Sequence, residues 1–252
     1  MTTETVAPPT TRPPELAGQT VVVIGGSAGI GLETARRARL EGADVILAAR
    51  NAERLQHAAG ELGAVGSATL DADDSDALEA FFEHLDGPID HVLATGGGPY
   101  YAPLADMDFE EARRDLQRHP MLMLGVARFA APKVRPGGTL LFIGGTGGRK
   151  AATGALIAAG TAALPPLAAA LALEIAPVRV NLIAAGFVDT PLSASLLGDK
   201  LEERREELRA RLPIGRVVGP EDVATLAVHI MANTALTGAT YDIDGGQQFA
   251  FS

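Results

Sequence analysis

Seven short apolar runs, at 20–24, 45–49, 65–70, 91–95, 139–143, 178–183 and 240–242, punctuate a chain of 252 residues. Most are continuous stretches of Val, Ile, Leu and Ala with no polar alternation, as strands covered on both faces of a parallel sheet require. Between them lie segments of helical spacing at 30–41, 52–61, 75–85, 109–131, 155–176 and 221–232. This alternation predicts a single Rossmann-type α/β domain, a doubly wound parallel sheet of about seven strands with helices on both faces. Prolines modify two of the helices. Pro165-Pro166 predicts a split near Leu164, and Pro120 predicts a kink that frees the carbonyl of Leu116. Residues 190–213 break the rhythm with a charged helix at 201–212, and so long a connection after a strand predicts a lid. Residues 1–15, rich in Thr and Pro, predict a disordered tail ahead of a domain spanning 16–252.

Composition narrows the function classes. Hydrophobic residues make up 47% of the chain, enough for a large core, and 21 basic against 31 acidic residues leave a net charge of −10. A nucleic-acid or anionic-membrane surface needs clustered positive charge, so neither partner is expected. The absence of cysteine excludes disulfides, thiolate metal sites and cysteine nucleophiles. No apolar run reaches the roughly 18 residues of a membrane span, and the tail has no signal-like segment. The expected location is the cytoplasm. No carboxylate–histidine cluster suggests a metal.

Specific chemistry first emerges at the end of the first strand. Thr20-Val-Val-Val-Ile24 runs directly into Gly25-Gly-Ser-Ala-Gly-Ile-Gly31, which opens a helix. Strand, glycine turn and helix in that order predict a dinucleotide site. The glycines admit a pyrophosphate to the backbone, and the helix N-terminus offers free N–H groups. Gly25, Ser27, Gly29, Ile30 and Gly31 are its candidate residues. An NAD site would place a carboxylate at the far end of the second strand. Asp44 lies ahead of that strand, and the far end carries Ala49, Arg50 and Asn51. A guanidinium grips a 2′-phosphate bidentately, so Arg50, with Ser27 and Asn51, predicts NADP(H).

Further segments accumulate in order: Leu70-Asp71-Ala72, Ala94-Thr-Gly-Gly97, Leu171-Ala-Leu-Glu-Ile-Ala-Pro-Val-Arg-Val-Asn181, Gly186-Phe-Val-Asp-Thr190 and Thr237-Gly-Ala-Thr-Tyr-Asp-Ile-Asp-Gly-Gly246. With the Gly-x-x-x-Gly-x-Gly spacing of Gly25, Gly29 and Gly31, they make the sequence resemble the short-chain dehydrogenase/reductase family across roughly residues 17 to 248. Ala94-Thr-Gly-Gly97 stands where that family usually has Asn-Asn-Ala-Gly. The resemblance implies that Asp71 and Ala72 meet the adenine, and that Gly96, Gly97, Val188 and Thr190 lie along the cofactor toward the nicotinamide. It also implies pairing of the 109–131 and 155–176 helices in a homo-oligomer, dimer or tetramer. The 155–176 helix, uncharged before Glu174, looks as if it must be covered on every side.

The family's enzymes use a Tyr-x-x-x-Lys pair, a Ser before it and an Asn on the preceding helix. This sequence lacks the pair: the residues four beyond Tyr100, Tyr101 and Tyr241 are Leu104, Ala105 and Gly245. Alignment from Glu174 puts Ile157 at the Tyr position and Thr161 at the Lys position. A glycine of Leu141-Phe-Ile-Gly-Gly145 falls at the Ser, and the Asn falls near His119-Pro120. Replacement candidates are Tyr100 and Tyr101 after a glycine-rich loop, His119, and Lys150 after the fifth strand. Two readings follow. One is an atypical NADP(H)-dependent oxidoreductase acting on a small carbonyl or alcohol that the sequence does not identify. The other is a non-catalytic NADP(H)-binding sensor or partner subunit.

Overall fold

A computed structural model describes residues 12–149 and 154–250. Seven parallel strands form one sheet in the order β3-β2-β1-β4-β5-β6-β7. They are β1 (Thr20–Ile24), β2 (Asp44–Ala49), β3 (Gly66–Thr69), β4 (Ile89–Ala94), β5 (Val134–Gly145), β6 (Arg179–Ala185) and β7 (Thr240–Ile243). The chain reverses its direction of travel across the sheet between β1 and β4. Such a switch point opens a crevice at the carboxyl ends of the strands.

Successive strand residues face opposite sides, which divides the core into two layers. Val22, Val92, Leu140, Phe142 and Leu182 join α3 (Ser75–Glu83), α4 (Phe109–Ala130) and α6 (Leu164–Glu174) on one face. Val21, Val23, Leu47, Leu93, Leu141 and Ile183 meet α1 (Gly29–Leu40), α2 (Ala52–Leu62) and α9 (Pro220–Ala232) on the other. The doubly wound architecture expected from the continuous apolar runs is therefore present.

Several local expectations change. The 155–176 segment is split as its prolines require: α5 (Ala155–Ala162) stops at Ala163, and α6 begins with prolines in its first turn. Within a single chain α5 buries no residue and α6 buries only Leu164, Ala168, Leu171 and Ala172. By length and composition Ala155–Glu174 is apolar enough to cross a membrane, although only 22% of that stretch is buried. This corrects the expectation that no apolar run is that long, because the run continues through Thr161 and the prolines. Helix α4 runs unbroken through Pro120. Asp108 caps its start, accepting hydrogen bonds from the N–H groups of Glu110 (2.8 Å) and Glu111 (3.1 Å), while Leu122, Met123, Val126 and Ala127 anchor its second half.

At the start of the domain Leu16 is fully buried, and just ahead of it Arg12 pairs with Glu15 and, at 3.2 Å, with Glu41. Residues 1–11 lie outside the described residues. The 190–213 insertion folds as two helices, α7 (Pro191–Leu197) and the charged α8 (Leu201–Arg211). The chain ends its described course in a short helix, α10 (Gln247–Ala250).

Candidate functional site

The glycine turn is as tight as its sequence suggests. Gly25 and Gly29 have φ of 84° and 55°, a region that favours glycine. A Cβ on Gly31 would sit 2.2 Å from the Gly25 carbonyl oxygen, so only hydrogen fits there. The Gly25 N–H donates to the Ala48 carbonyl at 2.8 Å, which moors the turn to β2. Ala28 precedes α1 without a side-chain cap, leaving first-turn N–H groups available to an anion. Ser27 and Ile30 are half-buried in this turn.

At the end of β2, Arg50 is exposed and has no ion-pair partner among the described residues. Its neighbour Asn51 is already engaged: its side-chain oxygen caps α2 by accepting from the Arg54 N–H at 2.8 Å. The amide oxygen expected to help Arg50 is therefore committed to the helix. Asp44, at the opposite end of β2, pairs with Arg39 at 3.2 Å and stays away from the crevice. Asp71, after β3, is exposed and accepts from the Asp73 N–H at 3.2 Å, while Ala72 packs against the core.

A cleft beyond the crevice is lined by Pro99, Asp115, His119, Gly144, Gly145, Ile157, Gly160, Thr161 and Leu164. The positions assigned to the family's Asn, Ser, Tyr and Lys thus converge on one wall. Of the residues there, Thr161 is committed elsewhere, since its hydroxyl donates to the Ile157 carbonyl at 2.7 Å. His119 lies against the Gly96–Gly97 loop, so that a Cβ on Gly96 would fall 2.4 Å from its Nε2. Burial, more than any neighbouring charge, pushes the His119 imidazole below its ordinary pKa, while Asp115 pulls it upward and Arg118 downward.

The other candidates separate from the cleft wall. The Tyr100 hydroxyl accepts from the Asp108 N–H at 3.0 Å, at the start of α4. Tyr101 is 63% exposed, and its phenol is pushed up, first by partial burial and then by Asp115. That direction is opposite to the one a proton-donating phenol needs. Lys150 lies outside the described residues. Val188 is buried and bridges to Val218 through the backbone. The Thr190 side chain caps α7, accepting from the Ser193 N–H at 3.3 Å.

Two residues that sequence reading passed over hold this region together. Asp115 accepts from the Tyr100 N–H at 3.0 Å and from Arg118 at 3.4 Å. Arg118 also donates to the Gly98 carbonyl and to Asp73, both at 3.2 Å. The spacing Asp115-x-x-Arg118-His119 puts all three on one helical face, a signal available in the sequence. Above the cleft, Leu192 of α7 would meet a Cβ on Gly98 at 2.9 Å, and Asp189 holds Arg205 of α8 at 2.8 and 2.9 Å. No group of three or more metal-ligating side chains occurs among the described residues.

Comparison with known proteins agrees with the fold. A family model described as enoyl-(acyl carrier protein) reductase matches residues 25–248. Short-chain dehydrogenase/reductase ATR9 of Stachybotrys chlorohalonatus is 30% identical, covering 92% of this chain and 98% of its own. Among solved structures, the MalC reductase/Diels-Alderase of Malbranchea aurantiaca superposes with a TM-score of 0.85 at 27% identity, over 92% of this chain and 97% of its own. An actinorhodin polyketide ketoreductase solved with NADPH gives 0.83 at 27% identity, over 92% and 97%.

Proposed function

Because the chain belongs to the short-chain dehydrogenase/reductase family, we propose that it is an NADP(H)-dependent oxidoreductase of atypical mechanism, acting on a small carbonyl or alcohol. The observation that carries the cofactor half of this reading is Arg50 at the end of β2, exposed and without an ion-pair partner among the described residues, beside a glycine turn with no room for a Cβ at Gly31. The residues fit the nucleotide. The glycine turn and the start of α1 receive the pyrophosphate, Arg50 and Ser27 receive the 2′-phosphate, and Asp71 and Ala72 flank the adenine. Gly96, Gly97, Val188 and Thr190 border the nicotinamide end. Several relatives were solved with NADPH, which supports the same choice. When bound, NADPH supplies the hydride.

The chain's own residues do the rest. Pro99, Ile157 and Leu164 present apolar surface that excludes water from the cleft. Asp115 and Arg118 fix the loop that carries Gly98 and Tyr100. The 190–213 segment closes the site as a lid, held by Asp189 and Arg205. Loss of the Tyr/Lys pair removes a general acid worth about 10²- to 10⁴-fold. Slow turnover of ordinary ketones and aldehydes is therefore expected.

The test is fluorescence titration with both reduced nucleotides. A charge-assisted contact of roughly 1.5–3 kcal/mol gives about a 10- to 150-fold preference for NADPH. Arg50→Ala should abolish that preference. Equal affinities in the unaltered protein would refute the assignment. A second reading, a nucleotide-binding sensor or partner subunit, is favoured by glycine, Ile157 and the self-bonded Thr161 at three of the four catalytic positions. Tight NADPH binding without turnover on any substrate would select it.

A further inference from the structure

We propose that His119 exchanges the proton with the substrate oxygen, in place of the family's tyrosine, with Asp115 one turn away as its supporting charge. This assignment rests on the oxidoreductase reading above. Asp115 and His119 are the only charged or titratable side chains among the described residues of the cleft wall; the others are Pro, Gly, Ile, Leu and the self-bonded Thr161. Among the described residues neither ring nitrogen of His119 has a hydrogen-bond partner, and neither is sealed from solvent as His91 Nδ1 is. The imidazole thus lines the cleft without a partner of its own among the described residues.

A second observation ties His119 to its surroundings. Where the family motif reads Asn-Asn-Ala-Gly, this chain has Gly96 at the alanine. Even the alanine methyl would lie 2.4 Å from His119 Nε2 and 2.7 Å from its Cδ2. The glycine opens the space that the imidazole fills, so the two replacements belong together. Charged groups near the ring are Asp115, Arg118 and, from the loop after β3, Asp73. The walls from β5 and α5 add no charge at Gly144, Gly145, Ile157, Gly160 or Thr161.

In the reducing direction a C–H bond of the dihydronicotinamide breaks, and its hydride forms a C–H bond at the carbonyl carbon. An N–H bond of the His119 imidazolium breaks, and its proton forms the alcohol O–H. The nicotinamide is oxidised, the carbonyl is reduced, and neutral imidazole remains. Oxidation reverses each step, with neutral imidazole accepting the alcohol proton. Burial keeps the ring neutral near pH 7, so oxidation proceeds there, whereas reduction gains as the pH falls.

The experiment uses the full chain with NADPH and an aldehyde and ketone panel, and with NADP⁺ and the matching alcohols, across pH 4–9. His119→Gln should lose about 100-fold or more in turnover in both directions, with NADPH affinity unchanged within about twofold as its folding control. Gly96→Ala, which crowds the ring, should lose turnover in the same sense. The His119 ring proton signal in NMR should titrate below the ordinary histidine range in the NADPH-bound protein, and lower still in Asp115→Asn. A His119 signal that does not titrate overturns the proposal, as does unchanged turnover in His119→Gln, which would leave hydride transfer standing. No turnover in the unaltered protein in either direction overturns both this proposal and the oxidoreductase reading.

Discussion

Acidification should unfold this protein partly through one buried imidazole. His91, on β4, is 3% exposed, its Nε2 lies 2.6 Å from Gln19 Oε1, and its Nδ1 is buried without a partner. Burial pushes its pKa down to about 4; the Arg179 guanidinium adds to the effect and Asp90 opposes it. The folded protein therefore holds His91 neutral where the unfolded chain, near the ordinary value of about 6.5, binds a proton. Stability is fully present above the unfolded value and falls as the pH drops toward the folded one. Integrating between the two values gives a loss of about 2 kcal/mol by pH 5 and about 3 kcal/mol by pH 4. Urea unfolding at pH 8, 6.5, 5 and 4 measures the slope, and the same series on His91→Gln subtracts the contribution of the carboxylates. His91→Gln should flatten the curve by about 2 kcal/mol between pH 8 and pH 5. Parallel curves for the two proteins would refute the reasoning.

Two further outcomes test other parts of the structure. Arg179 is 5% exposed and donates to the carbonyls of Gly137, Ile230, Met231, Asn233 and Leu236, joining β5, β6 and the end of α9. Arg179→Met should cost at least about 3 kcal/mol in urea unfolding, because hydrogen bonds to charged groups contribute roughly 1.5–3 kcal/mol and several carbonyls lose theirs together. We also propose that a second copy covers the exposed stripe Ala159, Ala163, Pro166, Ala170 and Leu173, together with Met121 and Leu124 of α4. Light scattering at micromolar concentration should give a dimer or tetramer, and Leu173→Glu should shift it toward the 26.0 kDa monomer. A monodisperse monomer before substitution would show that the stripe stays in water.

Features fixed by neighbours in sequence were legible, and those fixed across the fold were not. Val21 to Ile24 read as a central strand because both faces are covered, and the glycine turn after it could be read residue by residue. Pro165 located the break between α5 and α6 because a proline limits a helix by its own chemistry. Asn51 and Thr190 read as cofactor residues in the sequence, and in the fold each also caps a helix. Capping competes with binding for the same oxygen, and sequence alone does not say which wins. Asp115 and Arg118 escaped notice because their partners, Tyr100, Gly98 and Asp73, lie 15 to 45 residues away. The near-contact of Gly96 with His119 was equally invisible, since it depends on where α4 passes the end of β4.

The start of α7 touches two places at once. Thr190 rests against Gly29 of the nucleotide turn, and two residues on, Leu192 rests against Gly98 beside the cleft. One short stretch of chain thus packs against both. A substitution that displaces this short stretch is therefore expected to disturb the glycine turn and the cleft loop together, so that the two places respond as one.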